Sequence, residues 1–153
     1  MNPTDRVKTY LQKQTVKLEV IQFPEGATQT CELAAQALGV EPAQIAKTLL
    51  FIGKKGNVLV VTCGDKKVDA KKLKERFKDK FRFARAEEVM EFTGFPPGGV
   101  CPFALITEIP IVIDMSIARF PVVYTAAGNS GSAVPVTLKG LLEITQGEYL
   151  SVC

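Results

Sequence analysis

The chain has 153 residues, of which 46% are apolar and 23% charged, enough for one domain with a buried core and too apolar for wholesale disorder. Its net charge of +3 permits contact with RNA without marking a strongly basic nucleic-acid binder. The absence of histidine excludes Ser-His-Asp and Cys-His catalysis and any histidine-ligated metal.

The four cysteines, Cys31, Cys63, Cys101 and Cys153, are widely spaced and form no CxxC pair, so a zinc site is not expected; no other metal and no cofactor is expected either. The first residues are polar and charged, which does not suit a signal peptide. No apolar run approaches the roughly 20 residues needed to span a bilayer. These features predict a cytoplasmic protein with reduced thiols and no membrane partner.

In chain order, Val7, Tyr10 and Leu11 have helical spacing within residues 4–14, and Pro3 suits a first helical turn. Residues 18–23 alternate as a strand, and Pro24-Glu25-Gly26 turns the chain. Thr30 is placed to cap a helix through Leu38 that ends at Gly39. Glu41-Pro42 opens a short helical turn. Residues 47–52 and 58–62 read as two strands of a hairpin with a loop at 53–57. Asp69 precedes a lysine-rich helical run at 71–81, which reads first as a solvated face. Residues 86–93 form a helix with Glu87 and Glu88 favourably placed in its first turn. Residues 109–113, 122–124 and 134–137 are short strands, followed by a helix at 138–144. Hairpin-like connections outnumber clear βαβ units. The pattern predicts a single α+β domain with a curved, barrel-like, mixed but mostly antiparallel sheet flanked by helices.

Lys47 is the residue that breaks pattern. It lies in the apolar run Ile45-Ala46-Lys47-Thr48-Leu49-Leu50-Phe51-Ile52, where a charge needs a partner or a function. On pattern alone it is either a cation for an anionic or carbonyl-bearing ligand, or an edge-strand lysine that discourages pairing. The loop Gly94-Phe95-Pro96-Pro97-Gly98-Gly99-Val100-Cys101-Pro102-Phe103 offers backbone N–H groups that no side chain shields.

An ordered set of motifs runs along the chain: Thr30 with Leu38-Gly39-Val40; Lys47-Thr48-Leu49-Leu50-Phe51; Cys63-Gly64-Asp65 with Val68-Asp69; Glu87-Glu88-Val89 with Thr93-Gly94; Gly98-Gly99-Val100-Cys101-Pro102-Phe103; Asp114; and Ala126-Ala127-Gly128. Taken together they resemble the YbaK family of aminoacyl-tRNA deacylases, which includes the editing insertion of bacterial prolyl-tRNA synthetases. Ala104 departs from the glycine that many relatives carry after the loop. The resemblance implies that residues 1–153 form one editing domain. It makes Lys47, Gly98 and Gly99 the catalytic candidates, and Thr30, Val100, Cys101, Pro102, Asp114 and Gly128 the substrate-binding ones. The implied partner is the acceptor end of mischarged tRNA, with a prolyl-tRNA synthetase as a second partner.

An aminoacyl ester is already activated, so its hydrolysis needs a positioned water and a stabilised oxyanion more than a strong nucleophile. The expected activity is trans-editing of tRNA for proline that carries cysteine, alanine or another small residue. Two other readings fit the same residues: a non-catalytic module that binds a nucleotide or the acceptor end, and a regulatory interaction protein. Each candidate also has a structural reading. Gly98 and Gly99 permit a turn, Asp114 caps one, and Asp65 and Asp69 are turn and cap residues. Without an adjacent histidine, Cys101 is a poor nucleophile.

Overall fold

The computed structural model describes residues 1–153. Helix α1 (Pro3–Gln12) starts at Asn2, whose Oδ1 accepts from the Asp5 N–H at 2.8 Å. Strand β1 (Ile21–Gln22) and helix α2 (Cys31–Leu38) follow, and α2 ends at Gly39 with φ +71°. A 3-10 turn at Pro42–Gln44 leads into strand β2 (Ala46–Ile52) and its hairpin partner β3 (Asn57–Cys63). Helix α3 (Ala70–Phe77), strand β4 (Arg82–Phe83) and helix α4 (Ala86–Thr93) precede strand β5 (Ile111–Asp114). After a 3-10 turn at Met115–Arg119 come β6 (Val123–Thr125), β7 (Ser132–Val136), α5 (Leu138–Thr145) and β8 (Glu148–Leu150). No helix is long and apolar enough to cross a membrane.

The strands form two sheets, in the orders β4-β2-β3-β5-β8 and β1-β7-β6. Their pairings are antiparallel except β3–β5 and β5–β8, which are parallel. The α+β class and the mixed, mostly antiparallel pairing therefore match expectation, but the barrel-like sheet does not. Neither sheet closes on itself, and a single parallel bridge, Ile45 to Tyr124, joins them. The bridge cannot extend because β6 stops at Thr125 and the chain turns away through Gly128, at φ +100°.

Strand β3 is the buried centre, with every residue from Val58 to Cys63 buried. Its alternate residues serve two cores, as strand geometry requires. Val61 and Cys63 join Val7, Leu11, Phe95, Cys101, Ile113 and Leu141 on one side. Val58 and Val60 join Phe51, Leu73 and Val112 on the other, beneath α3.

Three local expectations change. The strand at 18–23 shrinks to Ile21–Gln22, because only those residues find partners on β7, while Leu18 and Val20 pack on the core unpaired. The helix expected to Phe81 stops at Phe77, because Lys78 adopts a left-handed φ of +55°. Strands β4 and β8 exist by pairing, with β2 and β5 respectively, rather than by any alternating pattern of their own.

Candidate functional site

The β2–β3 register places Lys47 opposite Thr62, on the same sheet face as Leu49 and Phe51. On its second edge β2 meets β4 at Phe51 and Ile52, and Ile45 just before it bridges to Tyr124 of β6, so only a short gap between the two is unpaired beside Lys47. Lys47 is half-buried and sits among polar groups. The Thr62 hydroxyl lies 3.1 Å from Ser116 Oγ and 3.2 Å from Cys153 Sγ. Burial raises the pKa of the Cys31 and Cys153 thiols, and the nearby Lys47 ammonium partly offsets this in both.

Asp114 lies behind this group and is 2% exposed. Its Oδ1 accepts from the Val152 N–H at 2.9 Å, and its Oδ2 accepts from the Ser116 N–H at 3.0 Å and the Thr62 hydroxyl at 3.5 Å. Burial pushes its pKa up, but the hydrogen bonds from Ser116 and Val152 outweigh that and hold the carboxyl below its ordinary value. Both oxygens are engaged within the protein, so Asp114 is a cap rather than a free ligand. Asp65 and Asp69 likewise take the structural roles expected of them. Asp65 pairs with Arg119 at 2.7 Å, and Asp69 caps α3 through the Lys71 N–H at 2.9 Å.

The 98–102 loop lies on the other side of β2, packed through Val100 and Cys101 against the core that contains Ala46. Gly98 has φ +88°, which glycine tolerates far better than residues with a Cβ. Gly99 is demanded by closeness instead. A Cβ there would lie 2.6 Å from both the Asn129 nitrogen and the Gly128 carbonyl carbon. The Gly128 N–H donates to the Gly99 carbonyl at 2.9 Å, so the two loops touch backbone to backbone. Gly128 in turn packs against Pro3 and Thr4, with no room for a side chain. The Gly99 N–H is taken by the Pro96 carbonyl at 3.0 Å, whereas those of Gly98, Val100 and Cys101 make no backbone hydrogen bond within the protein. Pro102 is buried, and so is the Cys101 thiol, which burial pushes up to about 12. That removes Cys101 as a nucleophile. Ala104 takes φ +54°, the conformation that a glycine would supply more easily.

No direct contact joins Lys47 to this loop. The start of α2 lies between them. Thr30 caps α2, its Oγ1 accepting from the Leu33 N–H at 3.1 Å. One residue earlier, Gln29 meets Gly98, its amide nitrogen 2.6 Å from where a Gly98 Cβ would stand. One residue later, Cys31 touches Gly64 and feels the Lys47 charge. A cleft of about 490 Å³ opens beside the loop between Gln22, Gln29, Pro96, Pro97, Asn129 and Gly131. Gln29, Thr62, Ser116 and Asn129 carry no sequence signal of their own, because folding alone brings them here.

A profile of the aminoacyl-tRNA editing domain matches residues 25–144, and the chain belongs to that family. YwhH of Bacillus subtilis (strain 168), an uncharacterized protein, is 38% identical over 149 residues, 96% of this chain and 94% of its own. The proline–tRNA ligase of Thermotoga neapolitana is 39% identical over 97 residues, which are 63% of this chain but 16% of the ligase. A crystal structure described provisionally as a trans-editing enzyme for prolyl tRNA synthetase superposes with a TM-score of 0.92 at 33% identity, covering 99% of this chain and 97% of that one.

Two outcomes follow from the packing. Gly99→Ala should displace the Gly128–Asn129 turn and lower stability by about 1–3 kcal/mol in urea unfolding; an unchanged midpoint would contradict the backbone contact. Asp114→Asn supplies one carbonyl acceptor where two oxygens now accept, and should lose about 1–3 kcal/mol at neutral pH. Because the folded pKa of Asp114 is depressed, its carboxylate stabilises above the unfolded value of about 3.9 and stops doing so as pH falls through the folded one. The deficit of Asp114→Asn should therefore shrink in acid, and a constant deficit would contradict the cap.

Proposed function

We propose that the protein is a trans-acting deacylase that hydrolyses the ester of mischarged tRNA, with tRNA for proline carrying cysteine, alanine or a similarly small residue as its substrate. The observation that carries this reading is the match to the editing-domain family across residues 25–144, supported by a loop with unpaired backbone donors. The N–H groups of Gly98 and Val100, both partly exposed, are the proposed donors to the ester oxygen, in place of the internally bonded Gly99. Gly99 and Gly128 hold that loop in shape, and Pro102 anchors its end. The cleft beside it receives the aminoacyl end, and a volume of about 490 Å³ suits a small group joined to a nucleoside.

Lys47 supplies positive charge for the terminal phosphate or for the polarised ester. Thr30 keeps the start of α2 between the two halves, and Asp114 sets Thr62, Ser116 and the C-terminal segment next to Lys47. Water attacks the carbonyl, helped by a hydroxyl of the terminal ribose. The buried Cys101 thiol and the lack of histidine agree with an attack that uses no side-chain nucleophile. Rejection of larger residues is by size, a second sieve after the synthetase. Such an enzyme acts in the cytoplasm, alone on tRNA or beside a prolyl-tRNA synthetase.

A panel of aminoacylated tRNAs tests the reading. Cysteinyl-, alanyl- and seryl-tRNA for proline should be deacylated faster than the correctly charged prolyl form. Lys47→Ala should lower kcat/KM by about 100-fold with the melting point retained, and Lys47→Arg should rescue it poorly. Tight binding without turnover of any member would instead support a binding module.

A further inference from the structure

Charge is distributed unevenly along this chain. Residues 54–82 hold eleven of the nineteen Lys and Arg but four of the sixteen acids, and the remaining 124 residues carry eight cations against twelve acids. Of those four acids Glu75, exposed on α3, forms no ion pair with a lysine, and the other three are committed elsewhere. Asp79 is buried and spends its carboxylate on the N–H groups of Lys55 and Lys80, each at 2.8 Å. Asp69 caps α3, and Asp65 is held by Arg119. Every ion pair in the protein uses arginine, and none uses lysine.

The fold gathers these free lysines into a track. Strand β3 ends beside Lys47, where exposed Lys66 and Lys67 follow it. Helix α3 then runs back for about 12 Å, exposing Lys71 and Lys74 and ending at Lys78. There the hairpin loop docks on the α3–β4 loop. The Lys55 ammonium donates to the Lys78 carbonyl at 2.8 Å, and a shallow groove forms between Lys54, Lys80 and Arg82. Along β2 this tip is about 20 Å from Lys47. Next to Arg82, Phe83 is 63% exposed, a surface for a stacked base. Lysines at i, i+3 and i+7 on one helix repel one another, which a solvated face does not require but a polyanion relieves.

We infer that this track, from Lys66 over α3 to the tip at Lys54 and Lys80, is a docking surface for the phosphate backbone of an RNA several nucleotides from its reacting end. This inference rests on the reading of the protein as an editing deacylase, and it makes the acceptor stem the occupant. Lys47 and the glycine loop meet the terminal ester while the lysine track holds the stem. The surface reads backbone charge rather than base sequence.

The experiment combines Lys54→Ala, Lys71→Ala, Lys74→Ala and Lys80→Ala, all at exposed side chains. A control with the same change of charge combines Lys8→Ala, Lys13→Ala, Lys17→Ala and Lys139→Ala. Binding of uncharged tRNA for proline is followed by fluorescence anisotropy over a salt series. The track variant should bind about tenfold or more weakly, with a log–log salt slope shallower by about one for each phosphate that it no longer neutralises. The control should bind as wild type does. Hydrolysis of an aminoacyl ester of adenosine alone, which has no stem, should be unchanged in both. Weakened tRNA binding with no hydrolysis of that ester by any form would reject the deacylase reading and keep the surface. Wild-type affinity and slope in the track variant would overturn the inference. So would capture of the protein by phosphatidylserine vesicles, abolished in that variant, with no binding to tRNA.

Discussion

Gly99 and Gly128 meet backbone to backbone, and the candidate site depends on that contact. The Gly128 N–H donates to the Gly99 carbonyl at 2.9 Å, and the approach of the two loops leaves no space for a Cβ at Gly99. It fixes the 98–102 loop against the turn between β6 and β7, and so sets where the unpaired N–H groups lie. Gly128 is pressed in turn against Pro3 and Thr4, which ties the start of α1 to the same point. The loop is thus held by packing on two sides before any substrate arrives. Preorganised donors of this kind stabilise a developing charge without reorganising.

The groups beside Lys47 are arranged by a different device. The buried carboxylate of Asp114 gathers the Thr62 hydroxyl, Ser116 and the Val152 N–H. These groups belong to β3, the turn after β5 and the C-terminal segment, so one cap joins three parts of the chain. The start of α2 then links the two devices, with Gln29 against Gly98 and Cys31 beside Lys47. The proposed ligand has two features to recognise, an ester at one end and phosphate at the other, and the two devices lie on the two faces of one sheet edge.

Much of the fold is legible in the sequence where local chemistry decides structure. Thr30 and Gly39 bound α2 because an N-cap and a left-handed C-cap are local demands. The β2–β3 hairpin is legible from two β-branched runs around a Gly-Lys-Lys-Gly loop. Strands β4 and β8 are not, since two or three residues carry no period and become strands only when β2 and β5 accept them. The barrel expectation fails for the same reason, because closure depends on how far β6 runs beside β2. Within the site, Lys47 is conspicuous as a charge among apolar residues, and the glycine loop as an unusual composition. A capping role for Asp114 is one of its two sequence readings, but its partners on β3 and at the C-terminus belong to tertiary structure. The burial of Cys101 and the internal bond of the Gly99 N–H are likewise results of packing.

In the proposed site, Lys47 and the 98–102 loop, linked by the start of α2, act on one ligand. An amide-linked, non-hydrolysable analogue of alanyl-adenosine, titrated into isotope-labelled protein and followed by backbone NMR, tests it most directly. Gly98, Val100, Cys101, Thr30, Cys31 and Lys47 should shift together along one saturation curve, and Lys47→Ala should weaken the binding reported at the loop. Shifts confined to one of the two groups, or a loop response indifferent to Lys47→Ala, would contradict it.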